Sequence, residues 1–238
     1  MDADIVIVGA GSAGCVLANR LSADPSLTVT LIEAGSAGGH PLSRIPAGYA
    51  RLMHHPRLTW GYRTAPDPAS GNRAILYPRG RGLGGSSLIN GMIQVRGQPQ
   101  DYDRWAQKGC TGWSYEELVP YFRRSERYAA ARDPSRGRDG AVAVEQVVER
   151  GALMEAFIAA AQAMGLPYNE DYNAPVQDGV AWTQQTRSGR WRCSAKEAYL
   201  DPAIARPNLT VVTDALCRRV VLDGRRATGV EILRTGHV

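Results

Sequence analysis

Lysine is nearly missing: Lys108 and Lys196 are the only two in 238 residues, and arginine supplies the rest of the twenty-eight basic side chains. Against twenty-three acids this leaves a net charge of only +5. Arg20, Arg44, Arg63, Arg104, Arg150 and Arg206 lie scattered among acids, whereas a nucleic-acid binder concentrates its charge on one face; no nucleic-acid partner is expected. Cysteine is equally sparse. Cys15, Cys110, Cys193 and Cys217 form no C-x-x-C pair and have no histidine at ligand spacing, which argues against zinc and against a disulfide framework, and fits a reducing compartment. No apolar run approaches the roughly 20 residues of a membrane span, and the N-terminus enters a strand pattern without the basic and apolar regions of a secretory signal. A soluble, cytoplasmic chain is the expectation. At 44% hydrophobic residues, it can bury a substantial core, either as one large domain or as two small ones.

What the chain does have is glycine in two organised places. The first is Ile5-Val6-Ile7-Val8-Gly9-Ala10-Gly11-Ser12-Ala13-Gly14. Four β-branched residues predict a short strand buried on both faces, and the glycines then turn the chain into a helix from about Ser12. In this pattern Gly9 permits a tight turn, Gly11 admits a pyrophosphate to the backbone, and Gly14 lets helix and strand pack closely. Gly14, Leu17, Ala18 and Leu21 share one helix face that can lie on a sheet. Asp24-Pro25-Ser26 ends the helix, Leu27 to Ile32 reads as a second strand, and Glu33 follows it. A carboxylate there can accept hydrogen bonds from both ribose hydroxyls of an adenosine and repels a 2′-phosphate, which disfavours NADP. Strand, glycines, helix, strand and acid in this order predict a dinucleotide site in an α/β, Rossmann-like domain.

The small-residue loop Ala34 to Gly39 can run along such a cofactor. Residues 41 to 75 show little periodicity and several prolines, predicting a long irregular excursion; His54 and His55 within it read as loop residues. The second glycine stretch is Arg79-Gly80-Arg81-Gly82-Leu83-Gly84-Gly85-Ser86-Ser87-Leu88-Ile89-Asn90-Gly91-Met92-Ile93. Its exposed N–H groups and hydroxyls suit a phosphate or the polar edge of a ring. Two Arg-Gly pairs also resemble RNA-binding segments, but the helix-like apolar run that follows favours a structured cofactor loop.

These stretches, with Leu31-Ile32-Glu33-Ala34-Gly35, Trp60-Gly61-Tyr62, Asp101-Tyr102-Asp103-Arg104-Trp105, Gly112-Trp113-Ser114-Tyr115 and Arg206-Pro207-Asn208-Leu209-Thr210-Val211, resemble the N-terminal half of glucose-methanol-choline (GMC) flavoprotein oxidoreductases, closest to the choline dehydrogenase-like alcohol dehydrogenases. The resemblance spans essentially the whole chain. It implies FAD, with the pyrophosphate at Gly9, Gly11, Ser12, Ala13 and Gly14, the adenosine ribose at Glu33, a further cofactor contact at Ala34, and the isoalloxazine beside Gly84, Gly85, Ser86, Asn90, Gly91, Met92 and Ile93. Trp60 and Arg81 are carried over as further cofactor contacts, and backbone near Cys217, where the family usually has valine, as an adenine contact. Ile89 stands where some relatives carry a histidine linked covalently to the flavin, so non-covalent binding is implied. Gln94 departs from the aromatic or alanine common at its position.

Further along, Ser114-x-x-Glu117 and Ser194-x-x-Glu197 are capping boxes that open helices. Ala141 to Val144 predicts a strand, and Leu153, Phe157, Ala160 and Met164 a helix with a core-facing stripe ending at Gly165. Asn169 to Asn173 lacks the spacing of a calcium loop and reads as a polar turn. Leu209 to Thr213, Arg219 to Leu222 and Gly229 to Leu233 read as strands, the last two around Asp223-Gly224. The expected division is an FAD domain at 1–138 and 191–238, with the first segment of a substrate domain at 139–190. In the family, a histidine paired with a second histidine or an asparagine takes the alcohol proton, and both lie in the C-terminal part. None of His40, His54, His55 and His237 matches them, so no catalytic residue is assigned. The expectation is the FAD-binding portion of an enzyme oxidising a small alcohol, inactive alone and lacking a C-terminal half. The alternatives are a non-catalytic flavin-binding or interaction module, one half of a split protein, and, more remotely, an RNA-binding module.

Overall fold

The structure is a computed structural model that describes residues 2–234; His237 lies outside them. In chain order its elements are β1 (Ile5–Val8), α1 (Ser12–Leu21), β2 (Val29–Ile32), α2 (Tyr49–Leu52), α3 (Pro99–Gln107), α4 (Tyr115–Ser125), β3 (Glu126–Tyr128), β4 (Val142–Gln146), α5 (Ala152–Ala163), β5 (Gln184–Gln185), β6 (Arg187–Ser188), β7 (Trp191–Arg192), β8 (Leu209–Val212), β9 (Ala215–Asp223) and β10 (Arg226–Arg234). They gather into two units, 1–91 with 190–238, and 92–189.

The first unit is built on a parallel sheet ordered β1-β2-β8, with Val6 opposite Thr30 and Thr30 opposite Thr210. Of its strands, β2 is the one buried along its whole length. The expectation that β1 is buried on both faces is corrected: Val6 and Val8 are exposed and only Ile7 is fully buried. Among the described residues β1 pairs with β2 alone, so it stands at the edge of the sheet. The helix occupies the predicted span, but its buried face is Gly14, Cys15, Ala18 and Asn19, with Leu17 exposed. Asn19 turns its side-chain amide to the carbonyl of Tyr199 at 2.7 Å, so a polar group takes part in this packing because its donor is satisfied. The hairpin β9-β10 is longer than expected, and its Val230 packs on Ile32, Val212 and Ala215. Residues 41–75 hold α2, short 3-10 turns and isolated antiparallel bridges such as Arg63 to Leu76, and Leu42, Leu52, Leu58, Leu88 and Ile89 form the cluster beneath them. The run after Ser87 does not continue as a helix; a single turn, Gly85–Leu88, is all that forms.

In the second unit β4 runs parallel to β3 and antiparallel to β5. Residues 92–138 gather here with 139–189, and a buried ion cluster ties the two stretches together. Glu126 is buried and accepts from Arg96 (2.5 Å), from Nε and Nη2 of Arg136 (2.8 and 2.7 Å) and from Gly137 N (3.1 Å). Arg136 also pairs with Asp171, whose Oδ1 accepts from Gln184 at 2.9 Å. The stretch around Asn173 is therefore more than a polar turn: Asn173 is buried, and its amide reaches Gln94 O and Gln184. The capping box at Ser114 and Glu117 forms as predicted and opens α4, which shares an aromatic cluster of Tyr102, Tyr115 and Phe122 with α3. The core-facing stripe predicted on α5 is a second correction. Leu153, Phe157 and Met164 are 84, 69 and 86% exposed, and Ala161 is the buried residue; the spacing makes a helix face apolar but does not supply something for it to pack on.

Candidate functional site

Both glycine stretches converge in the first unit. The strand β1 ends where Gly9, at φ +89°, reverses the chain, a conformation open to glycine at little cost. Gly14 sits so close beneath that an added Cβ would lie 1.9 Å from Gly9 O. Helix α1 then starts at Ser12 with no side-chain cap from Gly11 and no acid in its first turn, which leaves its orphan N–H groups and positive dipole end unanswered. Ser12 and Ala13 are exposed, and a Cβ on Gly11 would meet nothing within 4 Å.

The second stretch closes against the first. Gly84 N donates to Ala10 O at 2.7 Å. A Cβ on Gly85 would come within 2.7 Å of the Gly11 Cα, so only glycine permits this approach. Ser86 Oγ accepts from Gly80 N at 3.0 Å, and Arg81 donates from Nε and Nη2 to Ala34 O at 3.2 and 3.0 Å while lying 5.2 Å from the Trp60 ring. Asn90 and Gly91 are exposed at the end of the turn.

Glu33 joins the pieces. Its buried carboxylate accepts from Ala10 N (2.8 Å), Gly35 N (2.8 Å) and Gly82 N (2.9 Å). Its own N–H reaches Val212 O, and its carbonyl takes Ala215 N. A carboxylate offers about four acceptor positions, and backbone donors take three of them here. Cys217 follows two residues after Ala215, half-buried on β9 opposite Ile232.

Met92 and Ile93 belong to the second unit. There Met92, at φ +64°, gives its carbonyl to Thr186 N (2.8 Å), and Ile93 bridges to Gln185. A left-handed backbone at a methionine is uncommon and marks a held conformation.

The residues fit a dinucleotide. An uncapped helix start faces open space before Gly11, and the adjoining walls are glycines whose Cβ positions are filled by neighbouring backbone. Sequence reasoning did not mark Arg192, which lies buried on β7 and donates to Ser87 O and Asn90; no spacing in Trp191-Arg192-Cys193-Ser194 distinguishes it from the other arginines. Nor did the sequence show that the rings of His40 and His55 meet at a tilt of 60° with centroids 5.1 Å apart, each Nδ1 accepting from a backbone N–H two residues on. At Ser194 one arm of the expected box is present, Glu197 Oε2 accepting from Ser194 N at 2.9 Å, but the element that follows, Lys196–Leu200, is a wide π-type turn whose N-cap is Ala195. No helix among the described residues is long and apolar enough to cross a membrane, and no cluster of three metal-ligating side chains occurs among them.

Comparison with known proteins places this architecture. The family model described as GMC oxidoreductase matches residues 3–238. The oxygen-dependent choline dehydrogenase of Sinorhizobium fredii is 42% identical over 240 residues, covering 100% of this chain and 43% of that protein. The protein of the same name from Rhizobium etli (strain ATCC 51251) is 44% identical over 237 residues, with coverage of 100 and 43%. Among solved structures, pyridoxine 4-oxidase from Mesorbium loti superimposes with a TM-score of 0.94 at 35% identity, over 98% of this chain and 46% of that one. An FAD-dependent oxidoreductase from Chaetomium thermophilum gives 0.90 at 31%, over 98 and 42%. The chain thus spans less than half the length of these relatives.

Proposed function

Because the chain belongs to the glucose-methanol-choline oxidoreductase family, with an α/β Rossmann-like fold, we propose that it is the FAD-binding portion of an oxidoreductase acting on the CH–OH group of a small alcohol. The observation that carries this reading is the joined cradle: Glu33 bonds Ala10 and Gly82 on one carboxylate while Gly84 bonds Ala10, so both glycine stretches face one ligand. When bound, FAD accepts a hydride at N5.

The chain's own residues bind and orient. The first turn of α1, with Gly11, Ser12 and Ala13, receives the pyrophosphate, where an anion at the helix start is worth up to about 2 kcal/mol in all. Glu33 has one acceptor position for a ribose hydroxyl, Ala34 and the backbone near Cys217 border the adenosine, and Trp60 and Arg81 close the same side. Gly84, Gly85, Ser86, Asn90 and Gly91 border the isoalloxazine. Ile89 offers no nucleophile, so the flavin is held without a covalent bond. Residues 139–190 contribute to substrate binding, and the alcohol is of the choline type named for the relatives. His40 and His55 are engaged in backbone turns, and we assign no base to this chain.

The test is a titration of the purified chain with FAD, followed by an assay of choline-dependent dye reduction. Quenching of flavin fluorescence with one equivalent bound, and no turnover, is the expected result. Absence of binding would overturn the cofactor reading, and clear turnover would overturn the assignment of the base elsewhere.

A further inference from the structure

Arg192 is 3% exposed. Its Nη1 donates to Ser87 O (3.2 Å), Asn90 O (2.8 Å) and Asn90 Oδ1 (2.7 Å), while Nε and Nη2 are buried without a partner. Among the described residues it makes no ion pair, in contrast to buried Arg96 and Arg136, each paired with Glu126. Glu197, the acid whose charge reaches it, spends Oε2 on Ser194 N at 2.9 Å and on the Ser194 hydroxyl. Burial pulls the guanidinium below its ordinary pKa and Glu197 opposes this, yet an arginine stays charged in proteins.

A full positive charge therefore lies in a low-dielectric setting, held from one side by the oxygens of one turn. An arginine needed only to tie that turn would be less costly with a carboxylate at its remaining edge, because an unpaired buried charge is expensive. The edge left open, Nε with Nη2, is the bidentate edge that normally receives an oxyanion. That edge carries no direct partner, and the guanidinium lies directly behind exposed Asn90, where its field acts on whatever the turn borders.

We propose that Arg192 is a positioning residue for the flavin that fixes the Ser87–Asn90 turn and, by a charge that no carboxylate pairs directly, favours the negative charge the isoalloxazine gains on reduction. This rests on the assignment of that turn to the flavin. The role is distinct from binding, because the charge discriminates between two redox states of one ligand.

The experiment compares the wild-type chain with Arg192→Gln, which keeps a donor but loses the charge, and Arg192→Lys, which keeps the charge. Each is loaded with FAD, and three quantities are read: FAD affinity, the flavin midpoint potential and the affinity for sulfite, which adds at N5 and leaves the ring anionic. For Arg192→Gln the expected result is FAD affinity within tenfold of wild type, reduced flavin disfavoured at least tenfold relative to oxidised flavin, and sulfite bound at least tenfold more weakly. For this two-electron couple the tenfold loss is a fall of about 30 mV. Arg192→Lys restores the potential to within a twofold change in that ratio. Folded Arg192→Gln with an unchanged potential overturns the proposal, as does Arg192→Lys falling as far as the glutamine variant. Should Arg192→Gln fail to fold, Arg192→His at high pH, with its imidazole neutral, must still show the lowered potential; a value equal to wild type overturns the proposal. Failure of the wild-type chain to bind FAD overturns the cofactor reading together with this one, whereas binding with unaltered potentials overturns the role of Arg192 alone.

Discussion

The two units answer buried charge in opposite ways. In residues 92–189, side chain answers side chain: Glu126 takes Arg96 and Arg136, Arg136 takes Asp171, and Gln184 and Asn173 fill the remaining positions. Burial alone would pull Arg136 down, but the hydrogen bonds and charge of Glu126 hold its pKa above the ordinary value. In the nucleotide unit, backbone answers side chain. Buried Glu33 is satisfied by three peptide N–H groups and buried Arg192 by Ser87 and Asn90, and half-buried Arg81 likewise donates to Ala34 O. The first arrangement cancels charge and makes a rigid core. The second fixes loops that have no regular hydrogen bonding of their own and leaves net charge in place for a ligand to use.

The largest test of this contrast is Glu126→Ala. It strands two buried guanidinium groups and should cost about 3–5 kcal/mol, read as a lowered midpoint in urea unfolding. A loss under about 1 kcal/mol would mean the cluster is not the core of its unit. Glu33→Ala should cost less, on the order of 3 kcal/mol, since peptide N–H groups left without an acceptor cost about 1–3 each and entering water offsets part of that. FAD affinity should fall with it, and unchanged affinity in a folded variant would remove Glu33 from the ribose site. The smallest effect concerns Cys15, whose thiol gives a weak hydrogen bond to Ala10 O and is pushed up to about 12 by burial, with the charge of Glu33 adding to the shift. The unfolded thiol ionises near 9 while the folded one stays protonated, so the unfolded state loses its proton first and stability declines between about pH 9 and 12. By pH 10 the loss should reach about 1 kcal/mol, and it should vanish in Cys15→Ala when the two unfolding curves are compared across pH.

The parts of the site that follow from local chemistry were legible in the chain. Gly9 to Gly14 had to turn from strand to helix because β-branched residues and glycines permit little else there, and Ser114 with Glu117 had to cap a helix. Glu33 was recognisable as an acid after the second strand, but its three backbone donors come from residues 23 behind, 2 ahead and 49 ahead. No spacing rule joins those distances. The stripe on α5 was legible as a helix and wrong as core, because periodicity reports which residues share a face and not what lies opposite it. Val6 and Val8 teach the same lesson on a strand.

By itself the sequence determined the strand, turn and helix of the nucleotide cradle, the acid at its edge, the glycine turn ending at Asn90 and the family these belong to. Each is a property of neighbouring residues, set by backbone sterics and by hydrogen bonds that span a few positions. Only the tertiary structure decided that Glu33 buckles the two glycine stretches together, that Arg96 and Arg136 share Glu126, and that Arg192 lies buried without a carboxylate behind Asn90. Those outcomes depend on pairs from 10 to 105 positions apart, whose meeting is fixed by how the sheet and its loops pack and not by any local preference.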